Sequence, residues 1–176
     1  MRFNSIDEVF DFNDEVRNAL FETIENLDSK SKEIRTDDGK WTVKAIVEHL
    51  ALVDKGGTKI IEKLVLSSPE SCENSAVRVS RKFIEALSGA PQTKFVAPEI
   101  VEPTNNMEIY DSLNFLKSSR ANLNLLRDKI KFVDVAEKTF PHPIFGRLNA
   151  HDWLILLGFH ESRHLNQIKR VIALSK

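Results

Sequence analysis

Cysteine is nearly missing: Cys72 stands alone, so no internal disulfide can form, which fits a reducing, cytoplasmic setting. Its surroundings, SSPESCENS, hold no histidine or second cysteine, and it reads as an incidental thiol. An excess of one charge is missing too. Lys and Arg number 25 against 26 Asp and Glu, so no net field steers the chain toward nucleic acid, an anionic membrane or acidic substrates. Lys30, Lys32 and Arg35 read as solvated surface, and no basic face with interleaved aromatics argues for a nucleic-acid partner. The longest apolar run near the late histidines, Trp153 to Phe159, falls far short of the roughly 20 residues that span a bilayer. The opening MRFNSIDEVFDFNDEV is acidic and amphipathic, unlike a secretory leader, and predicts no export.

What is there is helical periodicity. A chain of 176 residues can bury roughly two thirds of its unfolded surface around one core, so a single domain over residues 1–176 is expected. Four long segments place apolar residues at three- and four-residue intervals, and none alternates in the manner of a sheet. The first runs from Ser5 to Leu27 through Ile6, Val9, Phe10, Val16, Leu20 and Ile24, with Ser5 and Glu8 spaced as a capping box. The second starts at Thr42, a good N-cap, and continues through Ile46, Leu50, Val53, Ile61 and Leu64. Gly56 and Gly57 interrupt it and mark either a break or a close helix contact. The third is expected from Thr104 or Asn105 through Met107, Tyr110, Leu113, Leu116 and Leu123 to Ile130, and the fourth from Asn149 to about Leu174. Between the second and third, Ala76, Val79, Phe83, Ile84 and Leu87 predict a short amphipathic helix ended by Gly89 and Pro91. The fold class expected is all-α, a four-helix bundle.

The fourth segment carries two histidines on the stripe that should be core. Residues four apart differ by about 40° around a helix, so His160 and His164 can face one ion. Neutral imidazole suits zinc, nickel, copper or iron, so spacing does not select the metal. His49 lies on or beside the buried stripe of the second helix and supplies a third donor, and three such donors leave positions open for water or substrate. His151, about 180° around the helix from His160, reads as a surface or capping residue, and His142, between two prolines, as part of a rigid turn. HESRH at 160–164 also matches the metalloprotease pattern, with Glu161 in the general-base place. The following LNQIKRVIALSK holds no His, Asp or Glu to complete such a site, so the match is read as coincidental. Glu161 then reads as a solvated glutamate, with a role beside metal-held water as the alternative.

The chain resembles the DinB-like metal-binding four-helix bundles, close to the YfiT-like group of predicted metal-dependent hydrolases. The resemblance rests on WTVKAIVEHL at 41–50, KFVAPEIVEP at 94–103 and HPIFGRLNAHDWLILLGFHESRHLNQIKRV at 142–171. Carried over residue by residue, the family's metal triad falls on His49, His160 and His164, while His151 is an addition to its pattern. The resemblance implies a long crossing connection between helices two and three, a divalent metal such as zinc or nickel, and a homodimer. It further implies either a hydrolase or a transferase using low-molecular-weight thiols, acting on a small-molecule substrate such as a thiol conjugate. No residue is assigned a catalytic role. Gln167 and Arg163 are candidates for support behind the ligands or for an interface, Arg163 as a surface ion-pair partner. The competing expectation is a non-enzymatic stress-related or regulatory bundle that acts through protein association.

Overall fold

The first helix begins where Ser5 leaves the extended region and its hydroxyl accepts the Glu8 amide at 3.2 Å. Only half of the capping box forms, because the Glu8 carboxylate reaches past Ser5 to the Asn4 amide at 2.7 Å. The computed structural model describes residues 3–36, 40–71, 76–79, 83, 85 and 97–174. Within these, the helices are α1 (Ile6–Glu25), α2 (Ser29–Lys32), α3 (Val43–Ser67), α4 (Ile109–Leu125), α5 (Arg127–Lys131) and α6 (Ala150–Leu174), with a 3₁₀ turn at Glu99–Val101. The four long ones form the bundle: α1 packs on α6, and α3 packs on both α4 and α6. None of the described helices is long and apolar enough to cross a membrane.

Thr42 caps α3 as expected, accepting the Ala45 amide at 3.1 Å. The two glycines do not break that helix. A Cβ on Gly57 would lie 2.7 Å from Leu157 Cδ2, whereas Gly56 faces open space; Gly57 is therefore a close contact between α3 and α6. Other expectations fail. The third helix starts at Ile109, later than Thr104 or Asn105, because the amides of both residues donate to Glu48 and Asn105 sits at φ 61°, outside helical space. It also breaks at Leu126 before α5, and Tyr110, placed on the buried stripe, is exposed. The link containing PHPIFG is a β-hairpin, β1 (Phe140–His142) antiparallel to β2 (Gly146–Leu148), turning through Gly146 at φ 75°. Two-residue periodicity over strands this short leaves no readable signal. Of the short helix expected through Ala76, Val79, Phe83, Ile84 and Leu87, Ala76 and Val79 are not helical, Phe83 is helical and fully buried, and Ile84 and Leu87 lie outside the described residues, as do Cys72, Gly89 and Pro91.

The core is split in two. One apolar cluster gathers Val9, Phe10, Ile61, Leu64, Leu154 and Leu157, and the other Leu20, Ile24, Ile46, Leu50, Leu116 and Ile168. Between them, at one level of the bundle, lie Arg17, Asp54 and Glu161, each buried among residues that belong to the stripes. Arg17, 3% exposed, forks onto Glu161 through Nε and Nη2, the latter at 2.8 Å, and Nη2 also reaches Asp54 at 3.0 Å. Its Nη1 donates to the Leu116 carbonyl. One guanidinium thus ties α1 to α3, α4 and α6, as its planar set of five donors allows.

Gly158 records how closely α1 and α6 approach. A Cβ there would fall 1.8 Å from Asn13 Oδ1, and Asn13 is itself fixed by donating to the Leu154 carbonyl at 3.0 Å. Gly158→Ala is therefore expected to lower stability by about 1–3 kcal/mol. Gly56→Ala, in the same kind of helix but facing solvent, should raise it by about 1 kcal/mol. Urea denaturation of the two variants checks both signs.

Candidate metal centre

The first ligand candidate comes from α3 and the other two from α6, and because these helices pack directly the three imidazoles meet. Ring centroids are 5.0 Å apart for His49 and His160, 5.0 Å for His49 and His164, and 4.6 Å for His160 and His164. One nitrogen from each lies within 4.8 Å of the others, a group able to hold a metal ion. The His49 Nε2 to His160 Nε2 separation is 3.2 Å. Bonds of 2.0–2.1 Å in tetrahedral array put ligand nitrogens about 3.4 Å apart, so this edge already has coordination dimensions, and ring adjustments of about 1 Å bring in the third nitrogen.

What stands behind the rings fixes which nitrogen points inward. His49 Nδ1 lies 2.7 Å from the Val101 carbonyl and His164 Nδ1 lies 2.8 Å from Gln167 Oε1. Both partners accept, so the network assigns Nδ1–H to each ring and leaves its Nε2 lone pair to the centre. Trp41 forms a wall, 4.8 Å from the His49 ring and stacked at 6.4 Å on His164. Trp41 is set in place by the turn before α3, where its carbonyl accepts the Thr36 amide at 2.8 Å.

The centre is uncharged near neutral pH. Burial pushes the His49 ring below the usual imidazole range, and only the Val101 carbonyl opposes it. Burial, then the neighbouring rings, hold His160 well below that range and take His164 down to about 3. Neutral imidazole is the form that binds metal, so no proton has to leave before an ion can enter.

The remaining candidates separate from the trio. Glu161 is not solvated: it is 3% exposed and its two oxygens are both held by Arg17. Burial raises its carboxyl while the guanidinium opposes that rise. Its position one residue on from His160 turns it about 100° around α6, where Arg17 holds both oxygens, which removes the general base that the HESRH match would require. His151 is not at the surface either; it is fully buried and its Nδ1 accepts the Arg78 amide at 3.1 Å. His142 does serve the turn, accepting the Ile144 and Phe145 amides at 3.1 and 3.3 Å. Gln167 backs the ligand candidate His164, one of the two places expected for it, and Arg163 is exposed. Residues the sequence reading passed over are Trp41, Arg17 and Glu48. A signal existed for Arg17, since it falls on the spacing of Phe10, Asn13, Leu20 and Ile24, where a charge is out of place.

The profile of the DinB superfamily matches residues 12–168. The chain belongs to that superfamily. Among relatives of this DinB chain, the uncharacterized protein YuaE of Bacillus subtilis (strain 168) is 22% identical over 165 residues, covering 89% of this chain and 93% of YuaE. The crystal structure of TT2238, a four-helix bundle protein, matches with a TM-score of 0.63 at 22% identity, over 94% of this chain and 99% of that one. The second likeness speaks to the fold, and the bundle is that of the superfamily.

The buried imidazoles give this DinB bundle an acid limb. Burial takes His142 and His151 each to about 4, below the ordinary value of about 6.5. The unfolded chain then binds protons in that window that the folded chain does not, so stability is full above about pH 6.5 and falls as pH drops toward about 4. Urea midpoints of metal-free protein should be lower at about pH 4.5 than at about pH 7; equal midpoints would show that the folded rings accept protons.

Proposed function

We infer that this chain is a metal-dependent enzyme whose divalent ion, zinc or nickel, is held by His49, His160 and His164, and that it acts as a transferase on low-molecular-weight thiols. The carrying observation is a three-nitrogen group with no carboxylate added to it. Among the described residues the metal-competent cluster is these histidines alone. The two acids adjacent to them in sequence are both committed elsewhere, Glu161 to Arg17 and Glu48 to the amides of Thr104 and Asn105.

When bound, the ion supplies Lewis acidity that lowers the pKa of the thiol or water it receives. A thiol starts near pKa 8.5 and water near 15.7, so a site without a neighbouring base serves the thiol better. The chain's own residues do the rest. Val101 and Gln167 hold the rings with Nε2 forward, Trp41 keeps water from one flank, and the half-buried edges of His160 and His164 leave an approach for substrate. Hydrolysis is the alternative chemistry of the same centre.

Untagged protein loaded with zinc or nickel should carry about one equivalent by mass spectrometry, and His160→Ala less than a tenth of that. Less than a tenth in the wild type overturns the metal centre. A ligand at a hundred times its dissociation constant adds about 2.7 kcal/mol of stability, so a thermal shift with either metal reports the same event. Consumption of a cellular thiol in the presence of an electrophilic acceptor supports the transferase. Turnover of esters or amides without thiol use would replace it with the hydrolase.

A further inference from the structure

Glu48 is 2% exposed and spends its whole carboxylate on one loop. Oε1 accepts the Thr104 amide at 3.0 Å and the Thr104 hydroxyl at 2.7 Å, and Oε2 accepts the Asn105 amide at 2.9 Å. Asn105 itself sits at φ 61°, in the left-handed region, so the chain cannot continue from it as a helix. Hydrogen bonds to an ionised acceptor are about twice as strong as neutral ones. This side chain is therefore the anchor of the crossing connection where it returns to the bundle.

The same loop carries the support of a ligand candidate. Val101, three residues before Thr104, closes the 3₁₀ turn and offers the carbonyl that His49 Nδ1 meets at 2.7 Å. The partners of the other supported ring differ in kind, since Gln167 is on the same helix as His164 and moves with it. A loop carbonyl has no such tether, and loops are the mobile part of a fold unless held. Two consecutive residues of α3 thus grip one loop, Glu48 by its amides and His49 by its carbonyl.

We propose that Glu48 is a positioning residue: by pinning Thr104 and Asn105 it holds the Val101 carbonyl where it fixes His49 with Nδ1 protonated and Nε2 turned to His160 and His164. The proposal rests on the metal reading only for its consequence in affinity; the ring state it predicts exists without metal. Glu48→Gln replaces one acceptor oxygen by an amide donor, which faces the loop amides and cannot accept them.

The test uses the full chain and two readouts. In metal-free protein at neutral pH, long-range ¹H–¹⁵N spectra of the histidine rings should show His49 in the Nδ1–H form. Glu48→Gln should populate the other tautomer while His164 keeps its own. Zinc affinity, measured against a competing chelator, should fall about 10- to 100-fold. Thr104→Val, which removes a single hydroxyl donor, should give a smaller loss in the same direction and serves if Glu48→Gln does not fold. Ile61→Val, in the other apolar cluster, controls for stability and should leave both readouts unchanged. An unchanged His49 tautomer in folded Glu48→Gln, or an equal affinity loss in Ile61→Val, overturns the proposal. If wild-type protein binds no zinc or nickel, the metal reading fails, and the tautomer spectra still decide the role of Glu48.

Discussion

The arrangement depends on one guanidinium in the middle of the bundle. Arg17 reaches Glu161 on α6, Asp54 on α3 and the Leu116 carbonyl on α4 from its own place on α1. A buried charge without partners is prohibitively costly, and truncating one member of such a pair typically loses 3–5 kcal/mol. Apolar ridges tolerate some sliding and rotation. A bidentate Arg–carboxylate fork tolerates little, so it sets the rotation of α6, and with Glu161 locked to one side the adjacent His160 is committed to another.

That commitment explains why residues next to one another in sequence serve separate regions. Glu161 belongs to the polar layer between the two apolar clusters, while His160 and His164 belong to the convergence with His49. Glu48 and His49 divide in the same way, though both are directed to the crossing loop. Two of the three ligand candidates, His49 and His164, are thus backed by an oxygen acceptor behind Nδ1, and each nearby acid has been withdrawn into another task. Burial lowers the affinity of all three rings for protons, and the result is a neutral, donor-rich spot in an otherwise charge-balanced surface.

Much of the bundle was legible because α-helical periodicity is strong over twenty or so residues. The stripes through Leu20 and Ile24 and through Ile46 and Leu50 are buried as read, and Thr42 caps where its side chain predicts. The same arithmetic placed His160 and His164 together and His49 within reach. It failed where partners come from distant sequence. The start of α4 was misplaced because Thr104 and Asn105 are good cap residues locally, yet their amides go to Glu48, more than fifty positions earlier. His151 read as surface because its helix angle opposes His160, whereas that face packs on the segment around Arg78. The strands of the β1–β2 hairpin were too short for alternation to show.

By itself the sequence determined which faces of four helices are apolar, where two of them are capped, and that two imidazoles share one face. These are properties of local spacing and of side chains meeting their own backbone. Only the tertiary structure decided that Glu161 is buried and paired, that a loop carbonyl orients His49, and that Trp41 walls the rings. Those outcomes depend on which groups meet across tens of residues, and the free energy of a buried charge or an oriented ring is fixed by its neighbours in space.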